Sequence, residues 1–244
     1  MYSEPMLVAV LIVLVAASIA TNRLPTRWYV PTCVVATGCL LVLARLDGLD
    51  AADLGLGPGT VLPGLIWAVV LVLAVALLYL GGATLPRTRN LFADRRFMGT
   101  GGQQVAYYLS VRIPFGTVLL EEIAFRSVLF AMVTIRHGTW WAVAVTSVLF
   151  GLWHVLPAIP MHQSHDAVHG AFGIGARGRW IAVVATVVAT AVGGVGFALL
   201  RVWTDSVLPP IGLHWALNGL GVAVAWWLGR ITHGGGGREP RVSP

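Results

Sequence analysis

The sequence predicts an all-α protein, a polytopic membrane helix bundle of about seven transmembrane helices, and three observations carry that reading. Of 244 residues, 57% are hydrophobic and only 11% are charged, and the mean hydropathy is +0.81, outside the range of soluble globular domains. The apolar residues gather into runs close to the roughly 20 residues that cross a hydrocarbon core. The 16 basic residues are all arginine and stand singly or in pairs between those runs, where topology signals lie. No basic stripe remains for a phosphate backbone. The expected partner is the lipid bilayer, with no nucleic acid.

The first apolar run, Met6 to Ala20, follows Glu4 as its only preceding charge and ends at Asn22 and Arg23. Without a basic n-region it reads as a retained helix, not a cleaved signal. The second run, Trp28 to Leu46, opens on two aromatic rings suited to the membrane interface. Three aspartates and several glycines between Asp47 and Gly59 predict an exposed or interfacial connector. A third span, Val61 to Ala83, leads into a basic loop with Arg87, Arg89, Arg95 and Arg96.

The fourth element, Gln103 to Ile135, is longer than one crossing needs and is interrupted by Arg112 and Pro114. It predicts either a kinked helix or a short interfacial helix before a membrane helix starting near Pro114; a separate crossing would raise the count to eight. Gly138 closes a tight turn into a fifth span, Thr139 to Leu156, and a polar connection runs from Pro157 to Arg179. In the sixth span, Trp180 to Trp203, two small-residue rows predict close packing: Ala185, Ala189, Gly193 and Thr190, Gly194, Ala198. The seventh, Val207 to Leu228, precedes a Gly-rich tail, 231–244, expected to be disordered.

Arginine placement orients the bundle. With the N-terminus outside, the inner loops and tail hold Arg23, Arg27, Arg87, Arg89, Arg95, Arg96, Arg177, Arg179, Arg230, Arg238 and Arg241, and the outer connections hold Arg45, Arg136 and Arg201. That bias favours an N-out, C-in, multi-pass protein of the cell membrane. The lysine-free, Ala/Val/Gly/Arg-rich composition fits a bacterial plasma membrane. Cys33 and Cys39 share one apolar segment but point to different helix faces, which argues against a disulfide or a metal site.

Chemistry concentrates at Glu121-Glu122-Ile123-Ala124-Phe125-Arg126. A charge near the middle of a membrane helix costs roughly 2.5–3.5 kcal/mol on insertion scales, so such residues need partners and point to function. Glu122 and Arg126, four apart, can pair as a structural brace. Glu121, about 100° away around the helix, must find another partner. Glu121 lies 17 residues before Gly138 and His154 lies 16 after it. Antiparallel helices leaving that turn therefore bring the two to the same depth. His214 and Asn218 share a face of the seventh span, where Gly212 and Gly219 permit close approach. A carboxylate and a histidine can activate a water, and a histidine with an asparagine amide can hold a developing oxyanion.

The ordered motifs Glu-Glu-x-x-x-Arg, Phe-x-x-x-His and His-x-x-x-Asn, on successive helices, resemble those of the CAAX prenyl protease and bacteriocin-processing (CPBP, Abi) family of intramembrane endopeptidases. The resemblance covers about Pro114 to Leu228. It implies a hydrolase with catalytic Glu121, His154, His214 and Asn218, and with Glu122, Arg126 and Phe150 supporting them. It also implies three regions: N-terminal helices and basic loop (1–103), a catalytic core (104–230) and the tail. The substrate would be a membrane-associated protein or peptide. Ser127 stands where the family commonly has glycine. Members are often called metalloproteases, but no His-Glu-x-x-His occurs here. A metal-free, glutamate-activated water is preferred, and the alternative is zinc on Glu121, His154 and His214.

His162, His165 and His169 read as solvated loop residues ahead of metal ligands. Rival functions are a catalytically silent membrane partner or bacteriocin-immunity protein, and a proton-coupled transporter using Glu121, His154 and His214 as a relay. The absence of an internal repeat weighs against the transporter.

Overall fold

The structure, a computed structural model, describes residues 4–92, 94, 96–97, 99–164 and 175–233. It is helical, with no strand among the described residues. Helix α1 is Glu4–Arg23 and α2 is Tyr29–Leu46, the latter entered by a 3-10 turn at Thr26–Trp28. Helix α3 is Pro58–Thr84, with Pro58 at the first turn, where a missing N–H costs nothing. Helix α5 is Thr139–Trp153, α6 is Val155–Ser164 and α7 is Ala176–Thr204.

Helix α4 occupies 102–137 without a break. Within it Gly102–Tyr107, Leu119–Glu122 and Leu129–His137 are α-helical, and Tyr108–Val118 and Ile123–Val128 are wound as π-helix. Pro114 therefore neither ends the helix nor creates another crossing. Its missing N–H is absorbed where the winding has already shifted hydrogen bonds to the fifth residue back, as the Leu119 N–H bond to Pro114 O illustrates. Helix α8, 208–233, has a similar π turn at Ala216–Leu220 between Leu208–Trp215 and Gly221–His233.

Six helical stretches are long and apolar enough to cross a membrane: Glu4–Arg23, Thr26–Leu46, Pro58–Thr84, Thr139–Ile159, Ala176–Thr204 and Leu208–Ile231. Helix α4 is the seventh long helix, and it carries the charges. Every side chain from Leu120 to Val133 is buried, on all faces of the helix. Helices α1 and α2 press Leu14, Ala17, Leu40 and Ala44 toward Leu120, Ala124 and Val128. By contrast α3 exposes Leu62, Ile66, Val69, Leu73 and Leu77, an apolar face suited to lipid.

Close crossings depend on small residues. A Cβ on Gly212 would lie 2.7 Å from the Ala68 Cβ, and one on Gly151 would lie 2.6 Å from the Val187 carbonyl oxygen. Of the two rows predicted on the sixth span, only one packs. Gly194 meets Ser147 and Phe150, and Ala198 is fully buried, while Gly193 faces open space and Ala189 is exposed. One helix has one buried stripe, and α5 covers that of Thr190, Gly194 and Ala198.

The 47–57 connector is less exposed than its composition suggests. Leu49 and Leu54 are buried, Gly48 and Gly55 turn the chain with φ of 89° and 72°, and the Gly55 carbonyl accepts from the Val207 N–H. The polar connection expected from Pro157 instead begins as helix α6, which includes the His162 backbone. His165, His169 and the tail from 234 lie outside the described residues. Cys33 and Cys39 are free, one buried and one exposed.

Candidate active site

The acidic pair sits where α4 is enclosed on every side. Glu122 is 0%, Arg126 1%, Glu121 5% and His214 6% exposed. Arg126 Nη1 donates to Glu122 Oε1 at 3.3 Å, the expected brace. The same oxygen accepts a much shorter bond, 2.6 Å, from His214 Nδ1 on α8. Glu122 thus does more than neutralise Arg126: it fixes the His214 ring and aims Nε2 away from itself. That second nitrogen lies 3.8 Å from Glu121 Oε2, too far for a hydrogen bond and close enough for both to act on one small group.

Glu121 finds its other partner on α5, but it is Trp153. The indole Nε1 donates to Glu121 Oε1 at 3.1 Å, and the ring packs edge-on to Phe125. Trp153 immediately precedes His154, the residue that the spacing from Gly138 sets level with Glu121. His154 itself donates Nδ1–H to the Phe150 carbonyl at 2.8 Å. The cause is local. Pro157 has no N–H to return to the Trp153 carbonyl, so the helix loosens and His154 takes φ −84°, ψ 0° between α5 and α6. With Nδ1 occupied, Nε2 is the nitrogen left for chemistry.

Phe150 is the hub of the supporting aromatics. The Arg126 guanidinium carbon lies 3.9 Å from its ring centroid and 4.8 Å from that of Phe197. The His154 ring packs edge-on to Phe150 at 4.7 Å, and His214 lies 5.4 Å from Phe197. Stacking on two rings supplements the single carboxylate that faces Arg126. Ser127, in the position where glycine was expected, is fully buried and donates to the Leu54 carbonyl at 2.8 Å, tying α4 to the 47–57 connector.

Asn218 lies four residues beyond His214, within the π turn of α8, and is exposed where His214 is buried. It lines a cleft of about 640 Å³ with Thr117, Arg112, Tyr108, Gln104 and Arg96. Thr117 is one turn before Glu121 on α4, and α8 runs antiparallel to α4, so the cleft reaches from the basic-loop end toward the acid–histidine cluster. Its walls are stitched by Trp215 Nε1 to the Leu109 carbonyl at 3.0 Å and Tyr79 OH to the Leu217 carbonyl at 3.2 Å.

Two carboxylate oxygens, Glu121 Oε2 and Glu122 Oε2, are buried without a hydrogen-bond partner, as is Arg126 Nη2. Glu121, Glu122, Arg126, Phe150 and His214 are thus brought together; His154 stands beside them through Phe150, and Asn218 stands at the cleft. Among the described residues no group of three or more His, Cys, Asp or Glu is disposed to hold a metal ion. Sequence reasoning missed Trp153 and Phe197. Trp153 carried a signal, its place one residue before His154 at the depth of Glu121; Phe197 carried none beyond being aromatic among small residues.

No curated protein and no solved structure matches the chain. One family model does, that of the Rce1-like type II CAAX prenyl endopeptidases, over residues 103–220. The matched stretch contains all three motifs and the whole of the cluster, and it supports a CAAX-type intramembrane protease in general. From 103 to 220, just under half of its length, the chain carries the Rce1-like type II CAAX prenyl endopeptidase family pattern, on the scaffold of a multi-pass membrane protein.

Proposed function

We propose that the protein is an intramembrane endopeptidase that hydrolyses a peptide bond of a membrane-associated protein or peptide, with Glu121 as general base. One observation supports this above the rest: Glu121 is clamped through Oε1 by Trp153, while Oε2, buried and unpartnered, faces His214 Nε2 at 3.8 Å. A carboxylate so held has a lone pair for a water proton and nothing else to give it to.

In the proposed reaction the water oxygen attacks the substrate carbonyl carbon as Glu121 takes its proton. His154, whose Nε2 is left over by the Phe150 bond, assists in moving that proton to the leaving amine. His214 and Asn218 donate to the oxyanion. Glu122 and Arg126 hold His214 in orientation. No metal is assigned in this scheme, and activity is expected to survive a strong chelator. The protein would lie in a bacterial plasma membrane with its N-terminus outside. Arg45, Arg136 and Arg201 at the outer end are each held by local acceptors, and among the described residues Arg23, Arg27, Arg87, Arg89 and Arg230 stand at or beyond the opposite ends of their helices.

The test compares membrane peptidomes of cells carrying the wild type and Glu121→Ala. Peptides released only by the wild type, and lost also in His214→Ala, are expected. Identical peptidomes with normally folded variants would move the protein to the catalytically silent reading. Full loss of activity on chelation, restored by zinc together with stoichiometric bound metal, would replace the metal-free scheme.

A further inference from the structure

Arg112 has no part in the chemistry above. It lies in the π-wound stretch of α4, nine residues before Glu121, and lines the cleft. Its guanidinium carbon sits 4.1 Å from the Tyr29 ring centroid and 5.4 Å from that of Tyr108. The Tyr29 ring can lie there because residue 116 is glycine, whose Cβ would come within 2.7 Å of the ring. The Tyr29 hydroxyl and Thr117 Oγ1 share a 3.0 Å bond that fixes the ring in turn.

Other arginines near the bundle interior have carboxylates: Arg126 has Glu122, Arg136 has Asp47 and Arg201 has Asp205. At the cleft, Arg96 is matched by Asp94 at 2.7 Å. Arg112 has no ion-pair partner among the described residues, and its Nη1 is buried without a hydrogen bond. A cation on a membrane helix that rests near two aromatic rings and has no ion-pair partner among the described residues is suited to receive an anion.

We propose that Arg112 is the anchor for a carboxylate of the peptide substrate, either its free C-terminus or an acidic side chain, lying in this cleft two to four residues from the cleaved bond. The spacing follows from the fold. Nine residues of helix separate Arg112 from Glu121 by about 13 Å or less, and an extended peptide covers that in about four residues or fewer. The guanidinium fork matches a carboxylate with two parallel bonds. Gln104, Thr117 and Asn218 along the same cleft offer polar partners to a peptide backbone. The proposal rests on the peptidase reading for the identity of its ligand, and binding tests it without turnover.

The full chain carrying Glu121→Gln, so that probes stay intact, is placed in nanodiscs of zwitterionic lipid. Three pools of dye-labelled random hexapeptides are titrated by fluorescence anisotropy: one free of acidic residues with a C-terminal acid, the same pool as carboxamide, and a carboxamide pool with one internal Asp. An acid-bearing pool is expected to bind about tenfold tighter than the plain carboxamide pool. Gain by the first pool alone identifies the C-terminus; gain by the third as well identifies acidic side chains. Arg112→Gln should bring the pools within about twofold. Arg112→Lys, which keeps the charge and loses the fork, should retain only part of the difference. If Arg112→Gln fails to fold, an undiminished preference in Arg112→Lys overturns the proposal. Equal binding of the three pools, including none, overturns it too. So does loss of the preference on adding anionic phospholipid to the discs, which would assign Arg112 to a headgroup. A peptidome without wild-type-specific products alongside an Arg112-dependent acid preference would reject the enzyme and keep the site.

Discussion

Charge is buried at two levels of this bundle, and the two differ in what is left over. At the end closed by the 47–57 connector, Arg136 Nη2 donates to Asp47 Oδ2 at 2.8 Å and Nη1 to the Met132 carbonyl. Arg201 reaches Asp205 at 2.9 Å and the Asp53 carbonyl at 3.0 Å. A leftover atom there is a donor, Arg201 Nε; in the centre the leftovers include acceptors, Glu121 Oε2 and Glu122 Oε2. A spare guanidinium N–H can do no proton chemistry, whereas a spare carboxylate lone pair can. Burial of charge therefore marks both regions, and among the described residues the buried, unpartnered carboxylate oxygens lie in the central one.

The largest effect should separate the two glutamates. Glu122→Gln leaves Arg126 buried without its counter-charge and weakens the hold on His214, so unfolding in detergent should ease by about 3–5 kcal/mol and activity should vanish with it. Adding Arg126→Met should recover much of the stability without the activity. Unchanged stability in the single variant would show that the two aromatic rings, not the carboxylate, hold Arg126. Glu121→Gln should do the reverse. Trp153 can still donate to the amide oxygen, so stability should hold while turnover falls by about 10²-fold; near-wild-type cleavage of a product found in the peptidome comparison would remove Glu121 from its role.

At the other level the signature should invert. Arg136→Met removes the ion pair to Asp47 and should cost about 1–3 kcal/mol of stability with turnover per folded molecule unchanged. A loss of turnover greater than the loss of folded protein would mean the closed end is coupled to the site. The smallest effect is expected from Trp153→Phe. Removing one N–H from Glu121 should cost about 1 kcal/mol, read as a severalfold lower kcat with KM little changed. An unchanged kcat would reduce Trp153 to packing.

Most of the fold could be read from hydropathy because crossing a bilayer is a local demand on each segment. The first three spans, the turn at Gly138 and the sixth and seventh spans fall where the apolar runs placed them. The extra crossing before Pro114 was a real alternative in the sequence, since proline and arginine together usually end a membrane helix. The π winding that carries α4 through Pro114 depends on neighbours packed around it. The connector at 47–57 likewise looked solvated because its polar residues were countable and its partners, Val207, Ser127 and Arg201, were distant in the chain.

The sequence by itself determined which polar groups stand at comparable heights on neighbouring helices, because a fixed rise per residue from a shared turn sets relative height without any knowledge of packing. It could not determine which atom each group would face. That Glu122 bridges Arg126 and His214, that Trp153 and not His154 reaches Glu121, and that Asn218 opens onto the cleft were decided by helix rotation, by the π turns in α4 and α8, and by the missing N–H of Pro157. A few tens of degrees about a helix axis exchange one partner for another at constant depth, and only the tertiary packing of small residues such as Gly151, Gly194 and Gly212 fixes that angle.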